Sequence, residues 1–217
     1  ALDRLHVEGL QSNAPFLSAV LDEADFRSGA IHTGYIAEHF PEGFHGTAPR
    51  QNQLRWMAAA AAYAQILMEQ RDARTPGRMS EPEPDGAPRE RVVILDDQRF
   101  ALEIAVPPGG SAPDAPAEIW SPGLADGRMH LVTDWTPGAA LFEGELDGET
   151  FCLSLKPGAQ GWRMRHRGYA ATALVMTPHA AELHARLPKK ETADTAKMIT
   201  SPMPGLVVSI AVEEGQE

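Results

Sequence analysis

The most extensive pattern in the chain is an alternation of apolar and polar residues between positions 89 and 177. Phe151, Leu153 and Leu155, for example, fall on one face of an extended segment and alternate with smaller residues. A period of two is typical of β-strands with one buried and one solvated face. The alternation predicts strands over residues 92–95, 99–106, 117–120, 129–135, 140–146, 150–155, 162–166 and 170–177. Short antiparallel strands at near-regular spacing favour a closed up-and-down β-barrel.

Short turn sequences connect neighbouring predicted strands. Asp147-Gly148 is a strong signal for a type I′ hairpin, because both central residues of that turn need a positive φ. Residues 96–98 connect the first two strands, and Gly168 lies between the last two. Connections this short place the strands that they join next to each other in the sheet.

A second pattern, over residues 49–74, predicts a long helix that is apolar on every side. Residues 56–64 form an uninterrupted apolar run with five successive alanines. Such a helix is surrounded by protein or by lipid, and a membrane span would need about 20 apolar residues. Arg55 and Glu69 bracket the run well short of that length. We therefore expect the barrel to enclose this helix, with its last residues emerging into solvent or onto a partner: Gln70, Arg71, Asp72 and Arg74.

The first 41 residues predict a helix, a loop and a second short helix. Asn13 and Pro15 are typical of a helix start, and Gly29 is typical of a helix end. Thr33 could cap the second short helix. This segment contains too few apolar residues to form its own core, so we expect it to be the tail of a preceding domain.

Segments rich in proline, glycine and polar residues separate the other elements. Residues 75–88 form a long loop between helix and barrel, for which a solvated linker and a partner-contacting arm both remain open. Thr177-Pro178 predicts the start of a short helix, and a polar linker follows it. Residues 201–217 include a strand-like run that has no pairing partner after it. We therefore expect the sequence to be a fragment of a multidomain polypeptide.

Composition excludes several classes of protein. The chain has 217 residues and a formal net charge of −11, which argues against binding to nucleic acid or to an anionic membrane. A single cysteine excludes a disulfide scaffold and fits a reducing compartment. We expect the cytoplasm or, in a eukaryote, the mitochondrial matrix.

No group of residues in the sequence predicts catalysis, cofactor binding or metal binding. His179 and His184 are five positions apart, whereas a helical metal pair needs a spacing of three or four. Cys152 has no base near it in the sequence, which favours a structural cysteine. One polar strand face combines Arg163, Arg165 and Arg167, and it is either a solvated face or a docking surface for an acidic partner.

Short motifs along the chain indicate a family. The run Ser201-Pro202-Met203-Pro204-Gly205, with Glu214-Gly215 after it, resembles the opening of a biotinyl carrier domain. Residues 7–17, 26–29 and 31–36 resemble the end of a biotin carboxylase domain. Three further stretches are similar to the α subunit of propionyl-CoA carboxylase, a biotin-dependent acyl-CoA carboxylase: residues 162–165 with 167–168, the helix that starts at Thr177-Pro178, and residues 187–188 with 194–198. The resemblance covers essentially the whole chain.

The resemblance implies an α+β fold in which an eight-stranded antiparallel up-and-down β-barrel is wrapped around a long central α-helix, flanked by partial domains. Residues 1–45 would end the biotin carboxylase domain, and 46–188 would form the interaction (BT) domain. Within it we expect the helix at 49–74, the loop at 75–88, the barrel at 89–177 and a short helix at 178–187. Residues 189–200 would be a linker, and 201–217 the first strand of a truncated biotinyl domain.

The family's chemistry implies an ATP- and biotin-dependent ligase whose reacting groups lie outside this chain. Biotin is carboxylated with ATP, bicarbonate and Mg²⁺ or Mn²⁺, and a carboxyltransferase β subunit then converts propionyl-CoA to methylmalonyl-CoA. The biotin-bearing lysine would follow Glu217, and we do not assign that role to Lys197, which precedes the carrier domain. The fragment itself is expected to contain no catalytic, cofactor-binding or metal-binding residue.

The resemblance also implies partners. The BT domain would dock biotin carboxylase and biotin carrier onto the β subunits in a hetero-oligomer with other α subunits. The expected contacts are the helix end and the loop after it: Arg71, Arg74, Thr75, Pro76, Gly77, Arg78 and Met79. Two alternatives remain, the same region of a methylcrotonyl-CoA or other acyl-CoA carboxylase, and a stand-alone ligand-binding β-barrel.

Overall fold

The predicted eight-stranded barrel is present and closed. We describe it from a computed structural model, which defines residues 2–7, 9–10, 12–77, 84–122 and 127–188. Every strand pairs antiparallel with its neighbours in sequence, and β1 pairs with β8 to close the sheet. The strands are β1 (Arg89–Leu95), β2 (Gln98–Ala105), β3 (Ala117–Trp120), β4 (Arg128–Thr133), β5 (Leu141–Leu146), β6 (Glu149–Gly158), β7 (Gly161–His166) and β8 (Tyr169–Met176).

Tight turns at one end of the barrel confirm the predicted hairpins. Asp147 and Gly148 have φ values of 52° and 83°, the left-handed pair that a type I′ turn requires. Arg167 and Gly168 adopt the same geometry, with φ values of 46° and 82°. The expected three-arginine strand face is therefore wrong in one member, because Arg167 lies in the turn after β7.

The helices precede and follow the strands. They are a 3₁₀ turn (Leu2–Arg4), α1 (Ala14–Asp22), α2 (Ala24–Ser28), α3 (Tyr35–His39), α4 (Gln51–Ala73) and α5 (Pro178–Ala185). The single helix predicted before Gly29 is wrong, because Glu23 is extended (ψ 138°) and separates α1 from α2. Gly29 ends only α2, with a φ of 83°, and Gly34 rather than Thr33 caps α3. Thr177 caps α5 by accepting a hydrogen bond from the amide of Ala180 at 3.3 Å.

The long helix α4 fills the barrel, as its all-round apolar pattern predicted. Its 23 residues extend about 34 Å at 1.5 Å per residue. Residues 57–64 are each no more than 2% exposed and belong to the same core cluster as Ile104, Leu131 and Phe142 of the barrel wall. Alanine side chains are short enough for strands to approach the helix on all sides. The interior is thus a packed core.

The first fifty residues pack over the barrel end at which α4 begins, which we call the closed end. The amide of Thr47 donates to the carbonyl of Gly168 at 3.3 Å, and the thiol of Cys152 donates to the carbonyl of Asp3 at 3.3 Å. Arg167 forms ion pairs with Asp3 at 3.5 Å and Asp22 at 3.8 Å. Residues 1–185 accordingly form one compact unit. The assignment of residues 1–45 to the end of a biotin carboxylase domain stays a prediction.

Candidate docking surface at the open end of the barrel

The barrel end at which α4 finishes, the open end, is held together by a polar network that joins helix to wall. Glu69 accepts a hydrogen bond from Arg91 and lies 3.8 Å from the guanidinium of Arg89. Gln65 donates to Glu69 at 3.1 Å and accepts from the indole of Trp162, also at 3.1 Å. Because both arginines are almost fully buried, this network fixes where the last two turns of α4 lie.

Beside this network, a groove of about 550 Å³ separates the end of α4 from two loops. The helix contributes one wall and the connections after β2 and β4 contribute the other. The lining residues are Tyr63, Leu67, Gln70, Arg71 and Arg74 from the helix, and residues 109–111 and 133–137 from the loops.

The loop after β2 is fixed to the helix through Tyr63. Its hydroxyl accepts a hydrogen bond from the amide of Ser111 at 3.0 Å, and the Ser111 hydroxyl donates to the carbonyl of Leu131. Gly110 has a φ of 102°, and a Cβ there would lie 3.3 Å from the Tyr63 hydroxyl. Glycine thus allows the loop to approach the helix closely. Burial raises the pKa of Tyr63, so the phenol is neutral around pH 7.

The loop after β4 is held by Trp135 and Thr133. The Trp135 indole donates to the carbonyl of Ala139 at 3.0 Å and stacks on Phe142 with ring centroids 5.8 Å apart. The Thr133 hydroxyl donates to the carbonyl of Glu143 at 2.6 Å and accepts from the Trp135 amide at 3.1 Å. Contacts within the chain therefore hold both walls of the groove in place without a partner.

The predicted docking residues that the structure describes lie at this end. Arg71 and Arg74 line the groove, and Thr75, Pro76 and Gly77 follow them at exposed positions. Arg74 lies 3.5 Å from Asp85, whereas Arg71 forms no ion pair with any residue that the structure describes. Two further predicted sets lie outside the described residues: Arg78 and Met79, and the motif Ser201, Pro202, Met203, Pro204 and Gly205.

Sequence reasoning missed two parts of this surface. Gln70 was expected to emerge from the barrel, but it is only 8% exposed. The two loops give no local signal, because they reach the helix through contacts 48 residues apart in sequence, such as that between Tyr63 and Ser111. The prolines and glycines of residues 107–110 are the one feature that could have suggested a close backbone approach.

The described residues do not fit the cofactors that the family implies. No cluster of three or more His, Cys, Asp or Glu side chains suited to a metal occurs among them. Lys156 is the only lysine within the described ranges, and it lies in β6 paired with Arg163 of β7. Burial raises the pKa of Cys152 to about 11, so its thiol is protonated at neutral pH. None of the helices in the described ranges has both the length and the apolar character needed to span a membrane.

Comparison with known proteins identifies relatives along the whole chain. The model of the propionyl-coenzyme A carboxylase BT domain matches residues 57–190. The propionyl-CoA carboxylase alpha chain of Ruegeria pomeroyi is 41% identical over 218 residues, which cover 100% of this chain and 30% of that protein. The mitochondrial alpha chain of Mus musculus is 29% identical over 99% of this chain and 29% of its own length. That of Homo sapiens is 28% identical over 99% of this chain and 29% of its own.

Proposed function

The chain belongs to the propionyl-coenzyme A carboxylase BT domain family, and on that premise we propose that it docks an α subunit onto the carboxyltransferase β subunits of a biotin-dependent carboxylase. The chain spans about 30% of the length of the alpha chains that it matches. The enzyme's conversion of propionyl-CoA to methylmalonyl-CoA, with ATP, biotin and Mg²⁺ or Mn²⁺, would accordingly depend on groups outside the described residues.

The observation that supports docking most strongly is the difference between the barrel ends. Residues of the first fifty cover the closed end, whereas the open end presents the last turn of α4, a preformed groove and the guanidinium of Arg71, which forms no ion pair with any described residue. Arg is enriched at protein interfaces, where its planar group can bind a carboxylate through two hydrogen bonds. Among the described residues, the side chains of α4 and of the barrel wall are buried against each other, which disfavours the stand-alone ligand-binding alternative.

The proposal also assigns the segments before and after the barrel to parts of the carboxylase. Residues 1–45 would end the biotin carboxylase domain, 46–188 would form the interaction domain, and 189–200 would link it to a biotinyl domain that starts at 201. Other α subunits would belong to the same hetero-oligomer. We further propose the cytoplasm, or the mitochondrial matrix in a eukaryote, as the compartment. The family match favours propionyl-CoA over methylcrotonyl-CoA carboxylase.

Exchange of the loop after α4 tests the docking role. Residues 75–84 of the full-length α chain are replaced by a glycine and serine segment of equal length, and association with the purified β subunit is measured. We expect association to be lost while far-UV circular dichroism and the melting temperature are retained, because Asp85 and the barrel are unchanged. Arg99→Gln, at the closed end of the barrel, is the control. Undiminished association of the loop variant would contradict docking through this end.

A further inference from the structure

Two buried side chains in the wall of the open-end groove have unused hydrogen-bonding capacity. Gln70 is only 8% exposed, and its amide forms no hydrogen bond with any residue that the structure describes. The Tyr63 hydroxyl accepts from Ser111 but donates to none of the described residues. Both side chains line the groove, where they can form hydrogen bonds with an occupant.

The positions of the lining residues along α4 define the shape of that occupant. Tyr63, Leu67, Gln70, Arg71 and Arg74 follow one stripe of the helix, because their spacings are those of a single helical face. From Tyr63 to Arg74 the helix rises about 16 Å. An extended chain covers this distance with about five residues at about 3.3 Å each. A linear peptide segment fits the groove in length.

The chemistry of the groove indicates what kind of segment it is. A primary amide both donates and accepts, so Gln70 can pair with the N–H and C=O groups of a peptide backbone. Arg71 provides a cation that no described carboxylate neutralises, and a carboxylate is its natural partner. Asp134, exposed on the opposite wall, disfavours an occupant that is acidic throughout.

We propose that this groove binds an extended segment of about five residues from the carboxyltransferase subunit, with one acidic side chain at Arg71 and its backbone hydrogen-bonded to Gln70. The inference rests on the proposed docking function and adds a location and a recognition chemistry to it. The groove adjoins the loop after α4, so the segment and the loop would belong to one continuous interface.

Paired substitutions in the full-length α chain test the inference through the dissociation constant for the purified β subunit. Gln70→Leu removes the amide at similar volume, and Arg71→Gln removes the charge. We expect each to weaken binding about tenfold, which is about 1.4 kcal/mol, because each deletes hydrogen bonds to the bound segment. Arg71→Gln should also reduce the dependence of binding on salt.

Matched controls carry the same chemical changes outside the groove. Gln98→Leu and Arg99→Gln lie at the start of β2, at the closed end, and both residues are exposed. Neither should change the dissociation constant by more than about twofold, as expected for surface changes away from an interface. Melting temperatures of all four variants should stay near that of the unaltered protein, because neither groove residue forms a hydrogen bond through its side chain within the described structure.

The outcomes separate the inference from the docking function. If the loop exchange abolishes association but Gln70→Leu and Arg71→Gln bind normally, the groove proposal is overturned and docking stands. If neither experiment weakens association, both are overturned. A photo-crosslinking residue in place of Asp134 adds a second measurement. Crosslinks to a β-subunit segment containing Asp or Glu support the proposal, and crosslinks only within the α chain or to a second α chain overturn it.

Discussion

Gln53 and Gln70, near opposite ends of α4, are buried to almost the same extent but differ in their hydrogen bonds. Gln53 is 4% exposed, accepts from the Arg50 amide at 2.8 Å, and donates to the ring of His166 at 3.0 Å. Gln70 is 8% exposed and pairs with none of the described residues. The same residue type in the same helix completes the internal structure at the closed end and is available to a partner at the open end.

The closed end also assigns a protonation state to His166. The Gln53 oxygen accepts from Arg50, so the Gln53 nitrogen faces Nδ1 of His166 and must donate to it. Nδ1 is therefore an acceptor, and a neutral ring carries its proton on Nε2. Burial lowers the pKa of His166, as do Arg167 and Arg50, whereas Asp3 and Asp22 oppose the shift. Both the hydrogen bond from Gln53 and the burial of the ring thus favour the neutral form of His166.

The largest expected effect is the loss of unfolding free energy when the polar network at the open end is broken. Glu69→Ala leaves Arg91 buried without its carboxylate, and breaking a buried pair in this way costs about 3 kcal/mol of unfolding free energy. Glu118→Ala breaks an exposed pair with Arg128 and should cost less than about 1 kcal/mol. Urea unfolding measures both. Equal losses would mean that the network at the open end does not anchor α4.

An intermediate loss of unfolding free energy tests whether the first fifty residues pack against the closed end. Gly168 and Gly148 occupy equivalent hairpin positions with φ values of 82° and 83°. A Cβ at Gly168 would lie 3.1 Å from the Pro15 carbonyl oxygen and 3.1 Å from Thr47, whereas one at Gly148 would meet nothing within 4 Å.

Both alanine variants should lose about 1–2 kcal/mol from left-handed backbone strain. Gly168→Ala should lose about 1 kcal/mol more, because its methyl group crowds residues of the first fifty. The difference between the two unfolding free energies isolates that contact. Identical losses would show that the first fifty residues do not pack tightly on this end.

The smallest expected effect is a pH dependence of the unfolding free energy that arises from His166 at the closed end. Since the folded pKa of His166 is below the ordinary 6.5, the unfolded chain binds more protons between these two values. The contribution of His166 to stability is therefore complete above pH 6.5 and decreases as the pH falls towards the folded pKa. The slope is at most about 1.4 kcal/mol per pH unit.

Comparison with His166→Gln isolates this dependence, because the other titrating groups are common to both proteins. The stability difference between the unaltered protein and the variant should narrow as the pH falls through this window. A difference that stays constant with pH would mean that His166 titrates alike in the folded and unfolded chains. Chemical denaturation at a series of pH values provides the measurement.

Local sequence patterns predicted most of the fold. The expected helix at 49–74 corresponds to α4 (Gln51–Ala73), and the eight expected strands match the eight observed strands within a few residues. These predictions succeeded because apolar periodicity and turn residues act over short distances along the chain. The prediction that Arg167 lies on a strand face was wrong, because alternation alone does not show where a strand ends and a turn begins.

The sequence by itself determined the barrel, the enclosed helix and the family, because each depends on local periodicity or on contiguous motifs. Only the tertiary structure decided which end of the helix is covered. It alone decided that Gln53 has hydrogen-bond partners among the described residues whereas Gln70 has none, and that Arg71 in the groove forms no ion pair with any of them. Those properties arise from contacts between residues far apart in the chain, such as Tyr63 with Ser111 and Gln53 with His166. No local pattern encodes them, because burial and pairing are decided when the barrel closes around its helix.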